Sequence, residues 1–183
     1  ILAGNPDAEN GFQIIADSNS NNIFKLYNNG DLYGKGVKGI QLNNSETEME
    51  EINNKIWQTF EVPSTIPGAS TNDIEIYPGF NAVYVKDSEG YLWAWGDNTN
   101  NILGLTQSQQ IEYTGMEPVK LDVDGKKVKT VYPGAGNIVF LITQTSEVYA
   151  TGYNTNGALG LGYKSTQVDK FTKIDLDNVE NIY

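Results

Sequence analysis

The sequence predicts an all-β fold of three repeated blades, each a four-stranded antiparallel sheet, with one short helical insert. A strand, a polar turn and a second strand that ends in glycine recur at 23–36, 82–96 and 138–152. Asn29-Gly30 and Asp124-Gly125 are pairs that tight hairpin turns use, because they tolerate positive φ. A spacing of about 50 to 60 residues gives each repeat enough chain for four strands.

The second strands of the three repeats match column by column. Side chains of a strand alternate between its two faces, so the first and third columns share one face and the aromatic second column lies on the other. Small residues in the third column let a neighbouring sheet approach closely, which predicts a sheet packed between two others. The columns are Leu32, Leu92 and Val148; Tyr33, Trp93 and Tyr149; Gly34, Ala94 and Ala150; Lys35, Trp95 and Thr151; and Gly36, Gly96 and Gly152.

Longer matches set the limits of the repeats. Gly96 begins the segment GDNTNNILGL, and Gly152 begins the closely similar GYNTNGALGLG. The chain ends where the next Pro-Gly pair is expected, which predicts a fragment of a longer protein. The predicted divisions are a lead-in or linker at 1–11 and repeat blades at 12–76, 77–131 and 132–183.

The first repeat has an insert at 37–70 that lacks the repeat signature. Ser45-Glu46-Thr47-Glu48 fits a capping box, and the apolar residues that follow have helical spacing, so we predict a short helix over 46–57. An aromatic side chain beside charged ones is common in recognition surfaces, although a structural role, in which Trp57 holds the insert onto its blade, is favoured. The candidate partner-binding residues are Glu46, Glu48, Glu50, Glu51 and Trp57.

The residue types that are absent exclude several chemistries. The chain has no Cys, no His and no Arg, so all 12 of its basic residues are Lys. Disulfides, thiolate metal sites and histidine bases are therefore excluded, as is the bidentate arginine clamp for phosphate. We expect no catalytic residues, no metal site and no cofactor.

The net charge of −11 limits the partners. A negative field repels the phosphates of nucleic acids and anionic membrane surfaces, and it favours the approach of a basic partner. No apolar run approaches the ~20 residues that a membrane-spanning helix needs. We therefore expect a protein partner, with no nucleic acid and no membrane insertion.

Two further motifs have both a structural and a functional interpretation. Asp122, Asp124 and Gly125 match the start of a calcium loop but lack its later ligands, so a hairpin turn is favoured. Trp93 and Trp95 are expected to pack between blades, and a sugar-stacking platform is the alternative.

The signature G-x-N-x-x-x-x-L-G-L at 96–105 and 152–161, with Pro-Gly at 78–79 and 133–134, resembles the repeat of the regulator-of-chromosome-condensation family. The resemblance covers residues 72–183 well, and it implies a partial β-propeller of four-stranded blades.

The sequence departs from the family pattern in two places. Asn101-Ile102 and Gly157-Ala158 replace the family's Gly-Gln, and the family's tryptophan before the glycine is present only at Trp95, since Lys35 and Thr151 occupy the other copies. We expect these changes to loosen the packing of the blades.

The resemblance implies protein recognition through loops on a rigid ring. The family's photoreceptor role needs Arg, and its chromatin role disagrees with the charge of −11. We predict a non-enzymatic protein–protein interaction scaffold within a larger bacterial protein. The alternatives are a carbohydrate-binding or glycan-hydrolysing propeller and a purely architectural spacer.

Two expectations concern the chain as a whole. The Asn-rich, Arg-free composition suggests a bacterial protein, and an extracellular or cell-surface location is favoured over a cytoplasmic one. Three blades cannot close a ring, so the terminal blades are expected to expose apolar faces and the isolated chain to self-associate through faces or strand edges.

Overall fold

The computed structural model of the protein describes most of the second and third repeats and the strands of the first. The described residues are 12–16, 23–27, 32–35, 58–59, 62–71, 73–79, 82–115, 117–134, 137–176 and 178–182. The predicted helix at 46–57 lies outside them.

Twelve strands in this part of the chain form three antiparallel sheets of four strands, each paired in chain order, so the predicted all-β architecture is confirmed. Blade 1 consists of β1 (Phe12–Ala16), β2 (Ile23–Tyr27), β3 (Leu32–Lys35) and β4 (Gln58–Thr59). Blade 2 consists of β5 (Glu75–Pro78), β6 (Ala82–Lys86), β7 (Leu92–Gly96) and β8 (Val119–Lys120). Blade 3 consists of β9 (Val128–Gly134), β10 (Ile138–Thr143), β11 (Val148–Gly152) and β12 (Thr172–Lys173).

The first strands of successive blades are neighbours, because β5 lies beside both β1 and β9. The sheets therefore follow one another side by side. The repeat boundaries predicted after 76 and 131 lie within β5 and β9, and the division of the chain into domains stays a prediction.

The structure assigns part of the predicted insert at 37–70 to the blades. β4 at Gln58–Thr59 pairs with β3 and completes blade 1. Ile66 is buried in a core cluster with Ile76 and Trp95 of blade 2. These residues therefore belong to the framework of the fold.

One short helix, α1 (Gln107–Glu112), is described, together with two 3-10 turns at Ala69–Thr71 and Thr99–Asn101. The sequence reasoning missed α1, which lies between β7 and β8. Its signal was present, because Thr106 and Gln109 form a capping box in which each side chain binds the backbone of the other residue.

Alternation along the strands gives blades 2 and 3 two different faces, as the columns predicted. We call the face with the Leu or Val column and the small column the front face. On blade 2 this face carries Leu92 and Ala94, and it shares one fully buried core with Val139 and Leu141 of blade 3. The opposite, back face of blade 2 carries Trp95, which is buried in the cluster that includes Ile66.

In blades 2 and 3, the glycine column ends the third strand for steric reasons. Gly152 has φ of +108°, and a Cβ atom there would lie 2.0 Å from the carbonyl oxygen of Asn137. Gly96 has the same conformation, with φ of +118°. No other residue fits these positions without movement of the backbone.

The Asp124-Gly125 pair forms the tight turn that the sequence predicted. Both residues have positive φ, at 52° and 68°, and the N–H of Lys126 donates to the carbonyl of Val123 at 2.9 Å. The hairpin assignment was wrong, however, because the flanking strands belong to different sheets. The turn connects β8 of blade 2 to β9 of blade 3.

Candidate interaction surfaces

The signature loops are held by the asparagine of the G-x-N motif. The Asn98 Oδ1 accepts the N–H of Leu103 at 3.1 Å, and the Asn154 Oδ1 accepts the N–H of Leu159 at 3.2 Å. Asn154 also donates to the carbonyl of Tyr163 at 3.0 Å. Both asparagines thus act on the loop backbone, which positions the surface that the loops present.

Asn101 fastens the blade 2 loop to blade 3. Its Nδ2 donates to the carbonyl of Leu105 at 2.9 Å and to that of Val168 at 2.7 Å. The hydroxyl of Thr151 donates to the Asn101 carbonyl at 2.9 Å, and both residues are buried. Asn101 and Thr151 both depart from the family pattern, and both join blade 2 to blade 3. This is the opposite of the looser blade packing that we expected from these changes.

Gly104 gives the closest approach between the same two blades. A Cβ atom there would lie 2.6 Å from the ring of Phe171, which precedes β12. Gly160 holds the equivalent place in the next loop, yet a Cβ there would meet only Ile174, at 4.0 Å. Gly104 is thus covered by the ring of Phe171, whereas Gly160 has no aromatic ring of the described residues against it.

Lys170 pairs with both carboxylates of the motif that resembles the start of a calcium loop. The Nζ of Lys170 lies 3.0 Å from the Asp122 Oδ2 and 2.7 Å from the Asp124 Oδ1. Hydrogen bonds to Asp124 and Asp122 raise the pKa of Lys170, and the hydrogen bond from Lys170 lowers the pKa of Asp122. A protein ammonium group therefore already pairs with both carboxylates and offsets one of their two negative charges. In the described residues, no group of three or more acids is arranged to hold a metal ion.

The tryptophans of β7 serve packing. Trp95 is buried, and Trp93 packs against the same cluster while its indole N–H donates to the carboxylate of Asp87 at 2.8 Å. The burial of Trp95 agrees with the packing interpretation and removes it from a sugar-stacking platform.

A polar cavity of about 360 Å3 opens where the β6–β7 turn meets the turn between β10 and β11. Lys86 is paired with Glu75 at 2.6 Å, whereas Asp73 and Glu89 have no ion-pair partner within the described part of the chain. The cavity thus presents uncompensated negative charge. Its lining residues are Asp73, Ile74, Glu75, Lys86, Asp87, Ser88, Glu89, Gly90, Lys127 and Gln144.

The resolved carboxylate pKa shifts among the described residues are all downward. Hydrogen bonds from Thr145, Lys173 and Lys126 hold the pKa of Glu147 at about 2. For Glu75, the hydrogen bonds from Lys86 and Tyr77 outweigh burial and lower the pKa. A general acid needs a raised pKa, so these carboxylates are suited to ion pairing and unsuited to protonating a leaving group.

The predicted partner-binding residues Glu46, Glu48, Glu50, Glu51 and Trp57 lie outside the described residues, and their role stays a prediction. Three large apolar side chains are exposed in the described part: Ile111 on α1, Tyr163 in the blade 3 loop and Leu176 after β12. Among the helices described there, none has the length and apolar character to cross a membrane.

The paired blades, the signature loops and the interblade packing define a β-propeller fold of the RCC1 type, which solved structures share. Prp20p from Saccharomyces cerevisiae superimposes with a TM-score of 0.68 at 16% identity, over 92% of this chain and 40% of that protein. Human WBSCR16 gives 0.66 at 17% identity, over 94% and 42%. Yeast RCC1 (Prp20) bound to Kap60 gives 0.65 at 15% identity, over 93% and 39%.

In sequence, the chain is similar to the guanine nucleotide exchange factor SRM1 of Saccharomyces cerevisiae. The two are 24% identical over 158 residues, which are 85% of this chain and 31% of the relative. The chain thus spans about a third of that relative's length and about two fifths of the solved structures. It matches no model of a known protein family. Prp20p has binding properties toward Gsp1p and histones, and yeast RCC1 binds Kap60.

Proposed function

We propose that the chain is a non-enzymatic protein–protein interaction module within a larger propeller protein. The observation that carries the proposal is the fastening of the signature loops, because Asn101 and Thr151 hold the blade 2 loop against blade 3 through buried hydrogen bonds. A binding surface on loops needs this kind of rigid support. The protein-binding relatives of the same fold support the proposal.

The proposed partner has a basic surface. The chain has a net charge of −11. Part of this charge lies in the polar cavity, where the carboxylates of Asp73 and Glu89 have no ion-pair partner among the described residues. The segment with Glu46, Glu48, Glu50 and Glu51 is the proposed main contact, because it concentrates the negative charge of the first repeat. Such pairing accelerates association and weakens as salt screens it.

A bacterial parent protein and an extracellular or cell-surface location belong to the same proposal. The bacterial origin rests on the Asn-rich, Arg-free composition, and the location follows from a large surface protein as the parent. Immunogold labelling of intact cells with an antibody against the chain tests the location, and label confined to the cytoplasm would contradict it.

The binding test uses purified probes: Gsp1p, histones and a lysine-rich peptide. We expect binding to at least one probe, with affinity that falls as salt rises. The variant E46Q/E48Q/E50Q/E51Q should lose this binding, whereas E112Q/E117Q, which neutralises exposed acids at the end of α1 and after it, should keep it. Equal affinity of the two variants would remove the segment from the site.

A deletion tests the same segment more severely. It should span 44–57 and stop there, because β4 begins at Gln58 and completes blade 1. The shortened chain should keep its folded far-ultraviolet circular dichroism and lose the probe. If no probe binds the full chain under any salt condition, the architectural spacer replaces the interaction module.

The enzyme alternatives are tested separately. The lowered pKa values of Glu75, Asp122 and Glu147 make these three carboxylates unsuited to act as a general acid. A chain without glycosidase activity should leave a glycan panel intact. The sequence similarity to an exchange factor favours a second candidate, acceleration of nucleotide release from Gsp1p. A faster release from Gsp1p than in buffer would establish that regulatory activity in place of the simple scaffold.

A further inference from the structure

The polar cavity between blades 2 and 3 has walls that the fold holds in place. One wall is the β6–β7 turn, where the buried Asp87 carboxylate accepts the backbone N–H groups of Glu89 and Tyr91. The same turn is tied to blade 3, because the carbonyl of Gly90 accepts the N–H of Val128 in β9 at 2.7 Å. The cavity is therefore formed before any ligand arrives, which lowers the cost of binding.

Gly90 lets the two blades border one space. It is buried with φ of +91°, and a Cβ atom there would lie 3.2 Å from the Nε2 of Gln144 and 3.4 Å from the Cβ of Lys127. Gln144 and Lys127 both line the cavity. A side chain at position 90 would crowd these two groups, so the glycine keeps the cavity open at its junction with blade 3.

The cavity contains more acid than base. Four carboxylates and two ammonium groups line it, which leaves a net charge of −2. Lys86 is already committed, because its Nζ pairs with Glu75 at 2.6 Å and donates to the carbonyl of Lys129 at 3.1 Å. The Nζ of Lys127 lies 5.9 Å from the centre of the Tyr91 ring and forms no ion pair with a described residue. Neither lysine therefore pairs with the remaining acids.

Asp73 and Glu89 are the acids that these lysines leave uncompensated. They border the cavity from different elements, the segment before β5 and the β6–β7 turn. Carboxylates that share a cavity disfavour each other's charge, and a cation between them relieves this repulsion. The Ser88 hydroxyl and the Gln144 amide, which also line the cavity, add neutral acceptors for a ligand with several N–H donors.

We propose that this cavity receives one arginine side chain of the basic protein partner, an occupant that rests on the proposed function. A guanidinium has five N–H donors in one plane and is more weakly hydrated than an ammonium, so it suits acceptors that come from several elements. The volume of about 360 Å3 is near the lower end for ligand sites, as a single side chain requires. Because the chain has no Arg, another protein must supply the side chain.

The test follows the backbone amide signals of Ser88, Gly90 and Gln144 by nuclear magnetic resonance while N-acetyl-arginine amide is added to the full chain. We expect saturable shifts and an affinity that falls as salt rises. N-acetyl-citrulline amide, which has nearly the same shape without the charge, should leave the signals unchanged. Equal shifts with both compounds, or none with the arginine compound, overturn the proposal.

Two variants with opposite expected effects locate the site. D73N/E89Q should weaken binding of the arginine compound about fivefold or more, because it removes both uncompensated acids. K127Q should strengthen binding, because it removes a positive charge from the cavity, and damage to the fold would not have that effect. Asp73 and Glu89 are exposed, so D73N/E89Q should keep its urea midpoint.

E112Q/E117Q is the matched control, since it removes two exposed acids outside the cavity and should bind the arginine compound like the unmodified chain. If D73N/E89Q binds that compound as tightly as this control, the proposal is wrong.

Histones as a second probe separate this proposal from the interaction module. The expected result is weaker histone binding by D73N/E89Q and unchanged binding by E112Q/E117Q. Histone binding that D73N/E89Q retains in full overturns the arginine site and leaves the interaction module standing. If the arginine compound binds but Gsp1p, histones and the lysine-rich peptide all fail to bind, the interaction module is overturned and the cavity stands as a guanidinium site.

Discussion

The carboxylate of Asp87 accepts the indole N–H of Trp93 at 2.8 Å across the turn between β6 and β7. Its other oxygen accepts the backbone N–H groups of Glu89 at 3.0 Å and Tyr91 at 2.8 Å. Asp87 is 3% exposed, so one buried side chain fixes both the turn and the tryptophan that packs on the back face of blade 2.

Replacement of Asp87 by Ala should therefore destabilise the fold strongly. Three N–H donors lose their acceptor, and each buried unsatisfied donor costs about 1–3 kcal/mol. We expect a loss of about 3 kcal/mol or more in the free energy of unfolding, measured with urea. Asp169→Asn, at an exposed position, is the control and should change little. A loss no larger than that of the control would show that water replaces Asp87.

Asn101 gives a prediction that separates hydrogen bonding from backbone strain. Its φ is +54°, and the third repeat has Gly157, with φ of +74°, at the equivalent place. N101G should lose the bonds to Leu105 and Val168 but keep a relaxed backbone. N101A should be less stable than N101G by a further ~1 kcal/mol, because a Cβ atom disfavours positive φ. Urea unfolding of both variants checks this, and equal stabilities would contradict the strain.

The sequence predicted the parts of the fold that depend on local alternation. The columns around Leu92 and Trp93 repeat every second residue, so their faces follow from strand geometry alone. The short helix α1 was equally accessible from the sequence, because Thr106 and Gln109 have the spacing of a capping box.

The contacts between blades could not be predicted, because they join residues far apart in the chain. Asn101 binds Val168 across 67 residues, and Lys170 binds Asp122 across 48. Which residues pair across such a separation in the sequence depends on how the sheets pack against each other. The polar cavity has the same origin, since Asp73 and Gln144 come from different blades. The candidate residues at 46–57, taken from charge and helical spacing, stay a prediction.

Gly104 and Gly160 form a matched pair for a packing prediction. Alanine at either site bears a similar backbone cost, since φ is +71° and +70°. Only at Gly104 would the new methyl group also clash with Phe171, at 2.6 Å. G104A should therefore lose about 1–3 kcal/mol more stability than G160A in urea unfolding. Equal losses would mean that the Phe171 ring moves aside without cost.

Glu147 makes the stability of blade 3 depend on pH at the acid end. Its carboxylate lies 3.0 Å from the Nζ of Lys126 and 2.9 Å from that of Lys173, and it accepts the Thr145 hydroxyl at 2.7 Å. These partners hold its pKa at about 2 in the folded state, below the ordinary 4.5. A depressed pKa means that protonation favours the unfolded chain.

The contribution of Glu147 is therefore fully present above pH 4.5 and is lost as the pH falls toward about 2. E147Q lacks this titration, so the difference in urea midpoint between the unmodified chain and E147Q should be largest above pH 4.5 and should shrink steadily to the acid end. E117Q, whose exposed carboxylate has no ion pair in the described residues, should follow the unmodified chain throughout. If the difference in urea midpoint between the unmodified chain and E147Q stays constant with pH, the partners of Glu147 do not stabilise its charged form. Only an effect on the charged form changes when Glu147 is protonated.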